Sequence, residues 1–250
     1  MNRIEKSQET YKQLFGDGVP AAYTTDPDFQ DILSRFIFGD VFHQGSLDDK
    51  MRELITLVVL TTNQTLPQLK AHVHAALNVG LTPIEIKEAV YQCAPYVGFP
   101  KTLNALTEVN DVFKARNINL PLESQQQVEE ETRFDKGLAV QVDAFGDIIT
   151  KNRENSPINQ KHIQDYLSAF CFGDFYTRGG LDLKTRELLT LSIISALGGA
   201  DNQVKAHVQG NLNVGNDKET MITAITHCLP YMGFPRTLNA LSCINEIIPE

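Results

Sequence analysis

Two residue pairs in this chain have the types and spacing for acid–base chemistry: Glu53 with His72, and Glu187 with His207. The separations are nearly equal, 72 − 53 = 19 and 207 − 187 = 20. Each glutamate opens a largely apolar run, Leu54 to Leu60 in one case and Leu188 to Leu191 in the other. A carboxylate drawn into such a run needs a partner or a task, because burying an unpaired charge is costly. Each histidine stands where leucine would serve a plain core helix, and imidazole is the side chain that titrates near neutrality. A purely architectural reading stays open: Arg52-Glu53 and Arg186-Glu187 as pairs that tie helices together, and the histidines as core residues bonded to a nearby carbonyl. Asp40 and Asp174, each following a glycine, recur as a third candidate. His72-Val-His74 does not read as a metal site. Residues two apart on a helix point to different sides, and the second copy has Gln209 in place of His74.

These residues recur because the chain is duplicated. Phe36 to Leu57 returns as Phe170 to Leu191 with 13 of 22 residues identical, and Cys93 to Leu106 returns as Cys228 to Leu241 with 11 of 14 identical. A repeat this long is a duplicated domain, since solenoid periods are shorter. The reading is residues 1–119 as one unit, 120–133 as a polar, proline-containing linker, and 134–250 as a second unit. Glu129 to Glu131 would be the solvated start of the second unit's first helix.

The elements that must position the pairs read as helices. Apolar residues at 51, 54, 55, 58 and 59 follow a three-to-four residue period, and Asp182 to Ser195 repeats it. Pro67 suits a first helical turn and Gly80 a stop. Thr82-Pro-Ile-Glu85 reads as a capping box, with Asn216 to Glu219 as its counterpart. Gly98-Phe-Pro100 opens the last helix of the first unit. The expectation is an all-α fold, with five or six helices per unit.

Bulk properties narrow the function. A net charge of −9 and a pI near 5.2 argue against nucleic acid or an anionic membrane surface as partner, while leaving room for a small anionic substrate. No stretch is apolar enough to span a bilayer and the N-terminal residues lack a signal-peptide core, so the expected location is the cytoplasm. The four cysteines, 93, 171, 228 and 243, form no Cys-x-x-Cys. Cys93 and Cys228 read as buried, inert thiols.

The stretch Ser34 to Phe42, the Arg52-Glu53-Leu-Ile-Thr-Leu57 run, His72 to Gly80, and Tyr96-Val-Gly-Phe-Pro100 with Asn104-Ala-Leu106 together resemble the carboxymuconolactone decarboxylase family, and both halves match. The resemblance implies a fused double-domain member: an alkylhydroperoxidase-like helical domain in tandem, a pseudo-dimeric chain that assembles as a homotrimer. It implies a lyase of aromatic catabolism that needs no cofactor and no metal, removing CO2 from a small unsaturated carboxylate or lactone such as 4-carboxymuconolactone. Glu53, His72, Glu187 and His207 would then be catalytic, and Arg35, Arg52 and Arg186 would hold substrate carboxylates through bidentate contacts. Arg35 becomes Ala169 and His43 becomes Thr177 in the second half, so the first half looks better equipped.

Redox relatives with the alkylhydroperoxidase pattern Glu-x11-Cys-x2-Cys-x3-His mark an alternative. Here the cysteine positions hold Thr65 and Gln68, and in the second half Ala200 and Gln203. Thiol-dependent peroxide reduction through that site is therefore disfavoured. A second alternative is a non-catalytic protein that keeps the pocket and binds a small molecule.

Overall fold

Fourteen α-helices, joined by three short 3-10 turns and two π-helical segments and with no strand, make up the regular structure of the described residues, 1–18 and 21–249, in a computed structural model. The first half contains α1 (Arg3–Phe15), α2 (Pro27–Ser34), α3 (Asp49–Asn63), α4 (Leu66–Asn78), α5 (Pro83–Gln92), α6 (Ala94–Val97) and α7 (Phe99–Ala115). The second half contains α8 (Arg133–Phe145), α9 (Ile148–Glu154), α10 (Lys161–Tyr166), α11 (Leu183–Leu197), α12 (Asp201–Asn213), α13 (Lys218–Met232) and α14 (Phe234–Ile247). A π-helical segment extends α2 (Arg35–Asp40), and a longer one extends α10 (Leu167–Tyr176). The duplication predicted from sequence is thus a repeated helical unit.

Local chemistry sets the helix starts. Asp48 and Asp182 cap the two central helices, accepting from Met51 N at 2.8 Å and Thr185 N at 2.7 Å. Thr82 and Glu85 form the expected reciprocal capping box. Its counterpart is simpler: Asp217 alone caps α13, accepting from Thr220 N. Pro95 sits in the first turn of the separate α6, whereas α13 runs on through Pro230. Glu129 to Glu131 form an exposed turn ahead of α8 rather than its first turn.

The Phe-Gly-Asp motif has a packing explanation. A Cβ on Gly39 would lie 2.3 Å from the Arg3 carbonyl oxygen, and one on Gly173 equally close to that of Arg133. The first helix of each unit crosses its π segment at this contact. Asp40 then pairs with Arg3 at 3.1 Å, and Asp174 with Arg133 at 2.7 Å. These aspartates clamp helices together.

The two halves share their interior. One continuous apolar cluster joins Ile55, Leu57 and Val58 of α3 to Leu189, Leu191 and Ile193 of α11. These two helices pack against each other at the centre, α13 of the second half covers α3, and α5 of the first half covers α11. The units interlock reciprocally through this shared core. Any site on α3 or α11 is therefore built from both halves.

Candidate active site

The central helices carry Glu53 and Glu187 into this shared interior, where they are 1% and 0% exposed. Helices α4 and α12 bring the histidines beside them. His72 Nδ1 lies 2.9 Å from Glu53 Oε2, and His207 Nδ1 lies 2.8 Å from Glu187 Oε2. A carboxylate can only accept, so each imidazole donates from Nδ1 and keeps Nε2 for other work. Aromatic edges flank both rings: Phe15 and Tyr231 around His72, Phe145 and Tyr96 around His207. Tyr231 and Tyr96 each come from the opposite half.

A cleft of about 640 Å³ opens at the second pair. Tyr96, Phe145, Cys171, Ala200, Gln203 and His207 are among its walls. Ala200 and Gln203 thus stand on the wall where the redox relatives carry their thiols. Cys171 is a thiol in this cleft, but burial pushes it up to about 12, far from thiolate formation. Burial likewise raises Cys93 and Cys228. The richer polar complement that sequence assigned to the first half lies elsewhere. His43 is exposed and hydrogen-bonded to Thr10, and Arg35 reaches Asp31 at 2.6 Å on a half-exposed surface. Neither is hydrogen-bonded to Glu53 or His72 among the described residues. His74 points away as well, accepting from Arg116 Nε.

Arg52 and Arg186 do not sit as substrate clamps would. Arg52 is 2% exposed and donates to the carbonyls of Leu47 and Gln44. Arg186 is fully buried and donates to Glu88, to Gln92, and to the carbonyls of Arg178 and Gly179. Burial pulls both guanidiniums down from their ordinary value. Their donors secure a loop of their own half and, through Gln92 or His227, the opposite half. The physical reason is depth: on the first turn of a helix capped by aspartate, they reach inward under the loop instead of outward to solvent.

Sequence reasoning missed the cross-half partners. Thr56 Oγ1 meets His227 Nε2 at 2.9 Å, and Thr190 Oγ1 accepts from Gln92 Nε2 at 3.1 Å. Burial, reinforced by the Arg52 and His72 charges, pushes His227 down to about 3, so it is neutral. Tyr96 and Tyr176 share a hydrogen bond of 2.9 Å, and burial holds both phenols well above their usual value. The repeated Tyr-x-Gly-Phe-Pro and Arg-Glu-Leu-x-Thr-Leu runs contained Tyr96, Tyr231, Thr56 and Thr190. What they lacked was any indication that each serves the other copy.

The chain matches the family model described as "Carboxymuconolactone decarboxylase family" over residues 27–111 and 161–246. It is 29% identical over 122 residues to 4-carboxymuconolactone decarboxylase of Acinetobacter baylyi, a match covering 48% of this chain and 90% of that protein. It is 34% identical over 77 residues to nitrosuccinic acid decarboxylase of Metarhizium robertsii, covering 31% of this chain and 54% of that one. The fold is similar to a crystal structure from Burkholderia xenovorans, provisionally described as a gamma-carboxymuconolactone decarboxylase subunit. The TM-score there is 0.57 at 19% identity, with 94% of each chain covered.

Proposed function

Because the chain belongs to the carboxymuconolactone decarboxylase family, we propose that it removes CO2 from a small carboxylate whose vacated electron pair can delocalise onto oxygen, with His207 and Glu187 supplying the proton chemistry. One observation carries this reading: a buried carboxylate–imidazole pair at the wall of a partly apolar cleft, with Ala200 and Gln203 at the thiol positions of the redox relatives. In 4-carboxymuconolactone the C–CO2 bond breaks and its pair passes through the adjacent double bond into the lactone carbonyl. The resulting dienolate then takes a proton at carbon. Protonated His207, held at Nδ1 by Glu187, is placed to give that proton from Nε2, and the negative carboxylate stabilises the imidazolium form. A nitro group would accept the pair equally well, which brings both named decarboxylases under one chemical description. Glu53 and His72 are hydrogen-bonded in the same way in the first half, but turnover is assigned to the second pair, whose histidine lines the cleft.

The substrate is a small anion and the chemistry needs no cofactor or metal. No helix among the described residues is long and apolar enough to cross a membrane, and a cytoplasmic role in aromatic catabolism belongs to this proposal. So does self-association as a homotrimer. Phe29, Ile32, Phe99 and Leu103 are exposed, and their repeat equivalents Ile163, Tyr166, Phe234 and Leu238 are exposed too. Apolar residues bared at the same places in both halves fit a surface that a second copy covers.

The test is CO2 release from 4-carboxymuconolactone. Wild-type protein should turn over, His207→Gln should not, and peroxide reduction driven by thiols should be negligible. A wild-type protein that releases no CO2 from this or a related unsaturated lactone acid refutes the reading.

A further inference from the structure

A separate cavity of about 540 Å³ lies between α5 and the linker segment Leu120 to Gln125. It shares no wall residue with the cleft at His207. Its size suits a metabolite more than a single inorganic ion. Ile84, Leu120 and Leu122 give it apolar wall, while Lys87 and Arg178 bring cations from opposite halves.

Lys87 is the unusual group. It is 9% exposed, and its Nζ donates to Asn110 Oδ1. No carboxylate pairs with it among the described residues. Burial pulls the ammonium down from its ordinary value, and no neighbouring charge offsets that. An ammonium carries three protons, so two are left for another acceptor. Arg178 spends Nε and Nη2 on Glu88, and its Nη1 is not hydrogen-bonded to the protein. Both cations stand against the Tyr91 ring, Lys87 Nζ at 5.9 Å and Arg178 Cζ at 5.3 Å from its centre. The local charges do not balance. Lys87, Arg178 and Arg186 are three positive groups, whereas Glu88, paired with both arginines, and the exposed Glu123 are two negative ones. Three against two leaves one positive charge uncompensated.

The duplication supplies an independent observation. At the equivalent place in the other half, Ile222 stands for Lys87, Thr223 for Glu88, Thr226 for Tyr91 and Gln44 for Arg178. The same fold is built there without a single one of these charges. Architecture therefore does not require them, and a buried ammonium kept without a counter-charge is costly unless it serves something else.

We propose that this cavity is a binding site for a small organic monocarboxylate, its carboxylate held by Lys87 Nζ and Arg178 Nη1 and its apolar body lying against the linker wall. A single negative charge matches the single uncompensated positive one. A phosphate monoester, close to −2 at neutral pH, would overshoot it. This site is distinct from the chemistry proposed at His207, and CO2 release does not report on it.

The test uses 4-bromobenzoate, titrated by calorimetry into the full chain and located by the anomalous signal of its bromine in crystals. Wild-type protein should bind it, with the bromine in the cavity between α5 and the linker. Lys87→Met keeps most of the apolar stem and should weaken binding by about 10- to 100-fold, the range for a hydrogen bond between charged groups. Without ligand this variant should melt at or above the wild-type temperature, because it removes a buried charge that has no counter-charge. Ser124→Glu, at an exposed linker position on the cavity wall, adds a competing carboxylate and should weaken binding to a similar extent. Lys161→Met, on the exposed surface elsewhere, should leave binding unchanged. Absence of binding to wild-type protein, bromine found only in the His207 cleft, or Lys87→Met binding as tightly as wild type overturns the proposal. Tighter binding of 4-bromophenyl phosphate than of 4-bromobenzoate overturns the carboxylate assignment.

Discussion

Two buried glutamates should respond oppositely to the same substitution. Glu88 is 1% exposed and has both oxygens occupied, by Arg178 Nε and Nη2 and by Arg186 Nη2, at 2.9 to 3.0 Å. Glu88→Gln leaves two guanidiniums with no counter-charge in the interior. Breaking a buried pair this way costs about 3–5 kcal/mol. At roughly 2–4 °C per kcal/mol for a chain of this size, the melting temperature should fall by about 6–20 °C. Glu187 is equally buried, but Oε1 has no partner and Oε2 has only His207. Glu187→Gln gives up one charge-assisted hydrogen bond, about 1.5–3 kcal/mol, and keeps a neutral one of about 1 kcal/mol, because the amide oxygen still accepts from Nδ1. It also removes a poorly compensated buried charge, which recovers several kcal/mol. The net change should lie near zero or be stabilising, with a melting temperature within about 4 °C of wild type or above it. Activity should nonetheless drop by about 10²–10⁴, since the amide cannot stabilise an imidazolium. Thermal denaturation followed by circular dichroism, with CO2 release on the same samples, measures both. Glu187→Gln melting as low as Glu88→Gln, with activity lost only in proportion to folded protein, would mean that Glu187 is architectural.

Further outcomes follow from other contacts. His227 is pushed down to about 3 from an ordinary 6.5, so between these values the unfolded chain binds a proton that the folded chain does not. Its contribution is therefore complete above pH 6.5 and erodes as pH falls toward 3, by about 1.4 kcal/mol per pH unit. Urea denaturation of His227→Gln, which restores the residue type at position 92, should show a shallower acid loss; an identical slope would refute the assignment. Gly173→Ala pushes a methyl against the Arg133 carbonyl and should destabilise by about 1–3 kcal/mol, read as a lowered denaturation midpoint. Size-exclusion with light scattering should give a trimer that Phe29→Glu disrupts, and a clean monomer would sink the assembly proposal.

The duplication, the helical class and the two Glu–His pairs were legible in the sequence because each depends on local pattern. Apolar periodicity makes α3 and α11, aspartate caps start them, and internal identity over 22-residue stretches reveals the repeat. Glu53 with His72 and Glu187 with His207 could be picked out because a polar group kept twice inside an apolar run is costly without a purpose. Even the alignment of Thr65, Gln68, Ala200 and Gln203 with missing thiols needed no coordinates. What only the tertiary structure decided concerns partners far apart in the chain. The family resemblance implied Arg52 and Arg186 as substrate clamps, and their position under the loops gives them carbonyl partners, with Gln92 and Glu88 added for Arg186, instead. Tyr96 reaches His207 across more than a hundred residues, and Gln92 and His227 each complete the other half's network. Sequence periodicity reports which face of a helix is buried, but it carries no information about which helix covers that face. In an interlocked duplicate, where α5 covers α11 and α13 covers α3, that choice determines the site.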